Sequence, residues 1–129
     1  MKMSNAVSPL TRAFMARTLK AQDFGHREHL EVAYDLLRTR PFLDATNAYA
    51  NGIQDIAATV GALDKYNTTI TVVFLSVIAE RLEAGCCGAF DAFLKKNNDL
   101  LKPGLLEKWY APEQINSPSA RSIFLMPTP

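Results

Sequence analysis

The sequence predicts an all-α protein, a single-domain bundle of five to six helices with an extended, proline-rich C-terminal tail. Apolar residues recur at helical spacing, i, i+3, i+4 and i+7, along most of the chain. Residues that start or end helices bracket these segments, as Ser8-Pro9 and Gly85 do. A chain of 129 residues is long enough to bury a core of its own. We therefore treat 1–129 as one helical domain, with residues 1–7 disordered.

Composition and charge narrow the class of protein. Hydrophobic residues make up 48% of the chain, and fourteen basic residues interleave with thirteen acidic ones to give a net charge of +1. A nucleic-acid-binding protein typically carries a basic face, and none is visible. No segment approaches the roughly 20 apolar residues of a membrane span, and the N-terminus lacks the apolar stretch of a secretion signal. We expect a cytoplasmic protein with neither nucleic acid nor membrane as a partner.

The only two cysteines, Cys86 and Cys87, are adjacent, which rules out a disulfide framework. A pair of reduced thiols at a helix end is the interpretation that fits a cytoplasmic protein. A vicinal disulfide is the alternative.

The first two helices are predicted from their caps and their apolar spacing. Ser8 is a serine N-cap, Pro9 occupies the first helical position, and the helix extends to about Leu19. The second helix is expected to start at Asp23 as N-cap and to end near Arg38. The residues on its inward face share helical spacing and are His26, His29, Leu30, Ala33, Leu36 and Leu37. Both histidines of the chain are therefore predicted to face the core.

The third helix is predicted over Phe42 to Ala62. Its buried face should carry Leu43, Thr46, Ala50, Ile53, Ala57 and Val60. Gly52 in mid-helix costs about 1 kcal/mol relative to alanine, which indicates close packing against a neighbouring helix.

The fourth helix is predicted from Tyr66 to Ala84, although its β-branched run taken alone would indicate a strand. Asp64 or Asn67 can cap a helix here, Gly85 suits its C-terminal end, and no second strand-like segment offers a partner. A helix that is apolar nearly all round is either central in a bundle or part of a subunit interface. A homodimer through residues 67–84 is the interpretation that follows from the second case.

The C-terminal third begins with a fifth helix from Phe90 to about Lys96. One or two helical turns are expected between Leu100 and Tyr110. From 111 to 129 the prolines and small polar residues predict an extended tail. The apolar residues expected to pack this tail on the bundle are Ile115, Ile123, Phe124 and Leu125.

Short connections between the second, third and fourth helices predict antiparallel neighbours, so the second and fourth helices start at the same end of the bundle. The two histidines then face a polar segment at the start of the fourth helix, made of Asp64, Lys65, Tyr66, Asn67 and Thr71. Two histidines three residues apart could ligate one metal ion. A catalytic zinc normally needs three protein ligands, and only Asp23 or Asp64 could complete the set. We therefore predict no metal cofactor.

The leading functional interpretation is a small enzyme or small-molecule-binding protein with this polar pocket as its site. The residues assigned to acid–base chemistry or ligation are His26, His29, Tyr66 and Asn67. The residues assigned to binding the substrate are Lys65, Thr71, Asp64 and Arg121. Arg121 could reach an anionic group, and the alternative is a solvated surface arginine. The alternative, from a different class, is a non-catalytic accessory module that acts as a homodimer.

These residues also carry a resemblance to known sequences. The first half of the chain contains the motifs Phe24-x-His26-x-x-His29-Leu30 and Lys65-Tyr66-Asn67-x-Thr69-Ile70-Thr71. The second half contains Gly104-Leu105-Leu106, Trp109-Tyr110-x-Pro112-Glu113 and Arg121-x-x-Phe124-Leu125-x-Pro127. Over about residues 14–127 the chain resembles a family of small, uncharacterised, all-helical bacterial proteins. The resemblance implies a site of three histidines, with the third at the position of Asn67. Because asparagine is a poor ligand for zinc or iron, this departure argues against a metal here.

Overall fold

The computed structural model describes residues 7–85 and 88–127. Cys86, Cys87 and all but Val7 of the segment predicted to be disordered lie outside the described residues. Within the described ranges the chain forms seven α-helices and no strand, which confirms the all-α bundle. The helices are α1 Pro9–Ala16, α2 His26–Thr39, α3 Phe42–Thr59, α4 Thr68–Glu83, α5 Phe90–Lys96, α6 Pro112–Ile115 and α7 Pro118–Ser122. Short 3-10 turns lie at Ala21–Asp23, Leu63–Lys65, Asn98–Leu101 and Leu105–Lys108. No helix of the described ranges has the length and apolar character needed to cross a membrane.

The centre of the bundle is α2, which packs against α1, α3, α4 and α5. Its five consecutive residues from Val32 to Leu36 are all buried. Asp35, which is not on the predicted inward face, is among them, and its Oδ2 accepts hydrogen bonds from the Ser8 backbone N–H at 2.9 Å and the Thr11 hydroxyl at 2.7 Å. These bonds attach the capped start of α1 to the central helix, and they satisfy a carboxylate that would be costly to bury alone.

The start of α2 differs from the prediction. Gly25, rather than Asp23, is the N-cap, and the Gly25 backbone N–H donates to Glu28 Oε1 at 3.0 Å. Asp23 belongs to the preceding 3-10 turn. The helix therefore begins at His26, whose side chain is exposed beyond the end of the core, whereas His29 one turn later is half-buried.

The buried face of α3 was also predicted wrongly. Leu43 is 77% exposed and Val60 is 60% exposed, while the buried residues are Ala45, Tyr49, Gly52 and Ile56. The ring of Phe14 from α1 determines this face, because a Cβ added to Gly52 would overlap it. The close packing predicted at Gly52 is thus present, on a face that a count of apolar residues did not identify.

The tail was expected to be extended, yet it contains α6 and α7, followed by extended backbone. Ile123 and Phe124, predicted to anchor it, are largely exposed. Ile115, also predicted to pack the tail, is buried, and hydrogen bonds to the tail backbone hold the segment after α7. Thr69 Oγ1 donates to the Ile123 carbonyl at 2.7 Å and accepts from the Leu125 N–H at 3.0 Å, while the Tyr110 hydroxyl donates to the Leu125 carbonyl at 2.7 Å.

The remaining long helix, α4, packs against α2, α3 and α7. Its residues Thr69, Thr71, Leu75 and Ile78 are buried, and Ile70 is its only exposed apolar residue. Contacts within the chain therefore account for the apolar character of this helix. The homodimer through residues 67–84 stays a prediction.

Candidate functional site

A groove of about 770 Å³ opens at the end of the bundle where α2 and α4 begin. Its polar lining residues are His26, His29, Tyr49, Lys65, Tyr66, Asn67, Thr71, Lys102, Glu107 and Asn116. Its apolar wall includes Ile53, Ile70, Phe74, Leu100, Leu101, Leu105, Leu106 and Ile115. The antiparallel course of α2, α3 and α4 thus brings His26 and His29 to the same cavity as the polar segment before α4.

The two imidazoles have different surroundings. Their ring centroids lie 6.4 Å apart. His29 stacks on the ring of Phe24 with 3.9 Å between centroids, and its Nδ1 lies 3.3 Å from Tyr49 Oη, so that one hydrogen is shared between these two atoms. His26 is exposed at the first position of α2. One ring is therefore fixed by the core and the other stands at the mouth of the groove.

Burial shifts the pKa values of His29 and Tyr49. It lowers the pKa of His29 from 6.5 to about 4, with a further lowering from the positive charge that His26 can carry. The backbone of Phe24 and the carboxylate of Glu28 act in the opposite direction on this pKa. Burial also raises the pKa of Tyr49 well above its usual value, and Tyr66 adds to this. At neutral pH the groove thus contains a neutral imidazole hydrogen-bonded to a neutral phenol.

The amide of Asn67 has a structural role. Its Oδ1 accepts the Ile70 N–H at 2.9 Å, which caps α4, and its Nδ2 donates to the Ile115 carbonyl at 2.7 Å. Thr71 donates its hydroxyl hydrogen to the Asn67 backbone carbonyl at 2.9 Å. Both residues line the groove, but these hydrogen-bonding groups are already engaged within the protein. Lys65 and Tyr66, exposed and half-buried respectively, are the polar groups from this segment best placed to meet a ligand.

Asp64 and Arg121 lie outside the groove, in a second pocket of about 480 Å³. It is lined by Asp64, Lys65, Asn67, Ile70, Asn116 and Arg121. Arg121 Nη1 donates to the Asn116 carbonyl at 3.0 Å, which fixes the guanidinium against the pocket wall. Arg121 therefore lines the second pocket, next to the predicted site, and does not line the groove.

The described ranges contain no group of three His, Cys, Asp or Glu side chains placed to hold a metal ion. Neither Asp23 nor Asp64 completes such a set with the two imidazoles. The donors of the groove therefore do not fit the three-ligand site that the sequence resemblance implies.

Comparison with family models, curated proteins and solved structures finds no match to this chain. The resemblance to a family of helical bacterial proteins thus rests on the quoted residues and stays a prediction. The function has to be inferred from the geometry of the groove.

Several residues of the groove were not predicted. Tyr49 lies on a face of α3 that was not predicted to be buried, Ile53 was predicted to be buried but not to line a site, and Phe74 lies one turn beyond the polar segment of α4. The loop from Leu100 to Glu107 forms a whole side of the groove. Its apolar pairs Leu100-Leu101 and Leu105-Leu106 around Pro103-Gly104 were the available signal, since such pairs in a loop need a surface to pack against.

Proposed function

We propose that this protein binds a small molecule in the groove between α2, α3, α4 and the loop at 100–107, with the polar part of the ligand at His26 and His29. The observation that carries the proposal is the composition of the groove. A continuous apolar wall faces a small group of polar side chains, as in binding sites for small organic molecules. The volume of about 770 Å³ also lies in the range of such sites.

Binding is favoured over acid–base catalysis by His29. A general base works best when its pKa lies near the working pH, and a pKa of about 4 makes His29 a weak base at neutral pH. A neutral imidazole fixed by Phe24 and Tyr49 is instead a well-oriented hydrogen-bonding group. The proposed role of His29 is therefore to orient a polar group of the ligand, while the exposed His26 contacts it from the mouth of the groove.

The test uses N-phenyl-1-naphthylamine, a neutral aromatic probe whose fluorescence rises when it leaves water. We expect saturable binding of one probe molecule per chain. Ile70→Glu should abolish this binding, because it places a charge on the apolar wall. Ile70 is the third residue of α4, where glutamate is compatible with the helix dipole, so the variant should still fold.

The matched control is Leu43→Glu. Leu43 is the second residue of α3 and is 77% exposed outside the groove, so this variant adds the same charge to another first helical turn. It should bind the probe as the unchanged protein does. Equal binding by both variants, or no saturable binding by the unchanged protein, would refute the proposal.

The alternative interpretation, a homodimeric accessory module, makes a different prediction. It requires a dimer in solution, and it does not require that the groove bind a ligand. Sedimentation equilibrium distinguishes the two, since a clean monomer excludes the homodimer.

A further inference from the structure

The second pocket adjoins the groove. Lys65, Asn67, Ile70 and Asn116 line both cavities, so the two share one wall. The two differ in chemistry, because the groove is mostly apolar whereas Ile70 is the only apolar member of the second pocket. A molecule lying along the apolar wall therefore has a polar compartment directly beside it.

This polar pocket carries a surplus of positive charge. Lys65 and Arg121 line it together with a single carboxylate, Asp64. Neither cation forms an ion pair with Asp64 or with any other carboxylate of the described residues. The first turn of α4, from the cap Asn67 to Ile70, borders the same space and adds the positive end of its helix dipole. An anionic group placed here would meet two cations that have no ion-pair partner among residues 7–85 and 88–127.

We infer that the ligand is an amphipathic anion whose body lies in the groove, with one polar group at His26 and His29, and whose terminal carboxylate or phosphate lies in the pocket of Lys65 and Arg121. This inference rests on the proposed function, because it names the class of molecule that the groove binds. Arg121 is the more specific of the two cations. Its guanidinium is already oriented by the Asn116 carbonyl, and it can form two parallel hydrogen bonds to a carboxylate or phosphate.

The experiment measures displacement of N-phenyl-1-naphthylamine by three molecules with the same ten-carbon chain, which are decanol, decanoate and decyl phosphate. We expect the two anions to displace the probe at concentrations about tenfold lower than decanol, as for a hydrogen bond to a charged group. The better of the two anions identifies the head group that the pocket prefers. Equal displacement by all three would overturn the inference.

Two variants locate the effect. Lys65→Gln combined with Arg121→Gln should remove the advantage of the anions over decanol. Lys95→Gln combined with Lys96→Gln is the matched control, because these two exposed lysines of α5 line neither cavity and their replacement removes the same charge, and it should keep the advantage. Loss of the advantage in this control, or its survival in the variant of the polar pocket, would refute the inference.

The failures of the two proposals can be told apart. If the neutral probe does not bind, the proposed function fails, and the inference that rests on it fails too. If the probe binds and the anions show no advantage, the groove is a ligand site and the anionic pocket is wrong.

Discussion

His29 shows how one side chain combines a structural and a functional constraint. It lies against the Phe24 ring and beside the Tyr49 hydroxyl, so its orientation is fixed by two core residues. The same burial that fixes the ring makes its protonation unfavourable in the folded state. A ring that is oriented and neutral suits ligand recognition, and it makes the fold sensitive to acid.

The stability of the protein should therefore fall between about pH 6.5 and pH 4. In this window the unfolded chain binds a proton at His29 and the folded chain does not, so acidification favours unfolding. With each pKa unit worth about 1.4 kcal/mol, the lowering of the pKa from 6.5 to about 4 corresponds to a loss of about 3 kcal/mol. Urea unfolding at a series of pH values measures the free energy of unfolding directly.

The variants His29→Asn and His26→Asn separate this effect from the other titrating groups. His29→Asn should flatten the pH dependence in this window, whereas His26→Asn should preserve most of it. An unchanged slope in His29→Asn would show that His29 is not a buried neutral imidazole.

At the scale of elements, the first turn of α4 joins the bundle to the tail. Asn67 caps the helix and donates to the Ile115 carbonyl, while Thr69 bonds to both Ile123 and Leu125. The same turn borders the groove and the polar pocket. Order in the tail and the shape of the site therefore depend on one short stretch of backbone.

Asn67→Ala should destabilise the protein by roughly 2–3 kcal/mol, because it removes a helix cap and leaves the Ile115 carbonyl without its donor. Ser8→Ala, which removes the cap of α1 with no bond to the tail, should cost only ~1 kcal/mol. Hydrogen exchange supplies the second readout. The Leu125 amide should lose protection in Asn67→Ala and keep it in Ser8→Ala. Equal effects of the two substitutions on stability and exchange would contradict the role given to Asn67.

Several helix ends could be predicted from sequence because caps are local, although α1 and α3 end three residues before their predicted ends. Ser8, Asn67 and Gly85 mark ends that the structure confirms, and α5 has the predicted bounds. The short helices of the tail also begin at residues that the sequence marks as caps. Ser117-Pro118 repeats the pattern of the first cap, and its Oγ accepts the Ala120 N–H at 3.1 Å.

Helix faces were harder to predict because distant residues determine them. Tyr49 and Gly52 are buried on α3 because Phe14, which is 38 residues before Gly52 in sequence, packs against that face. His26 is exposed because α2 starts at Gly25, where Glu28 accepts the backbone N–H, rather than at Asp23. The spacing of apolar residues along the sequence does not indicate either of these contacts.

At the scale of the whole molecule, topology predicted the location of the cavity better than its chemistry. The antiparallel course of three helices was sufficient to bring His26 and His29 to the wall that carries Lys65 and Tyr66. The apolar half of the groove could not be foreseen, since it depends on how the loop at 100–107 folds over α4. The sequence left both a binding protein and a small enzyme open, and this apolar half supports the proposal of a protein that binds an amphipathic molecule.

Ligand binding beside the two imidazoles can be observed directly by long-range proton–nitrogen NMR spectra recorded during titration with N-phenyl-1-naphthylamine. We expect the ring signals of both His26 and His29 to shift as the probe is added. They should saturate at the dissociation constant that the fluorescence measures, because the probe lies in the groove that both rings line. Saturable binding of the probe with both imidazole signals unmoved would contradict the proposed site.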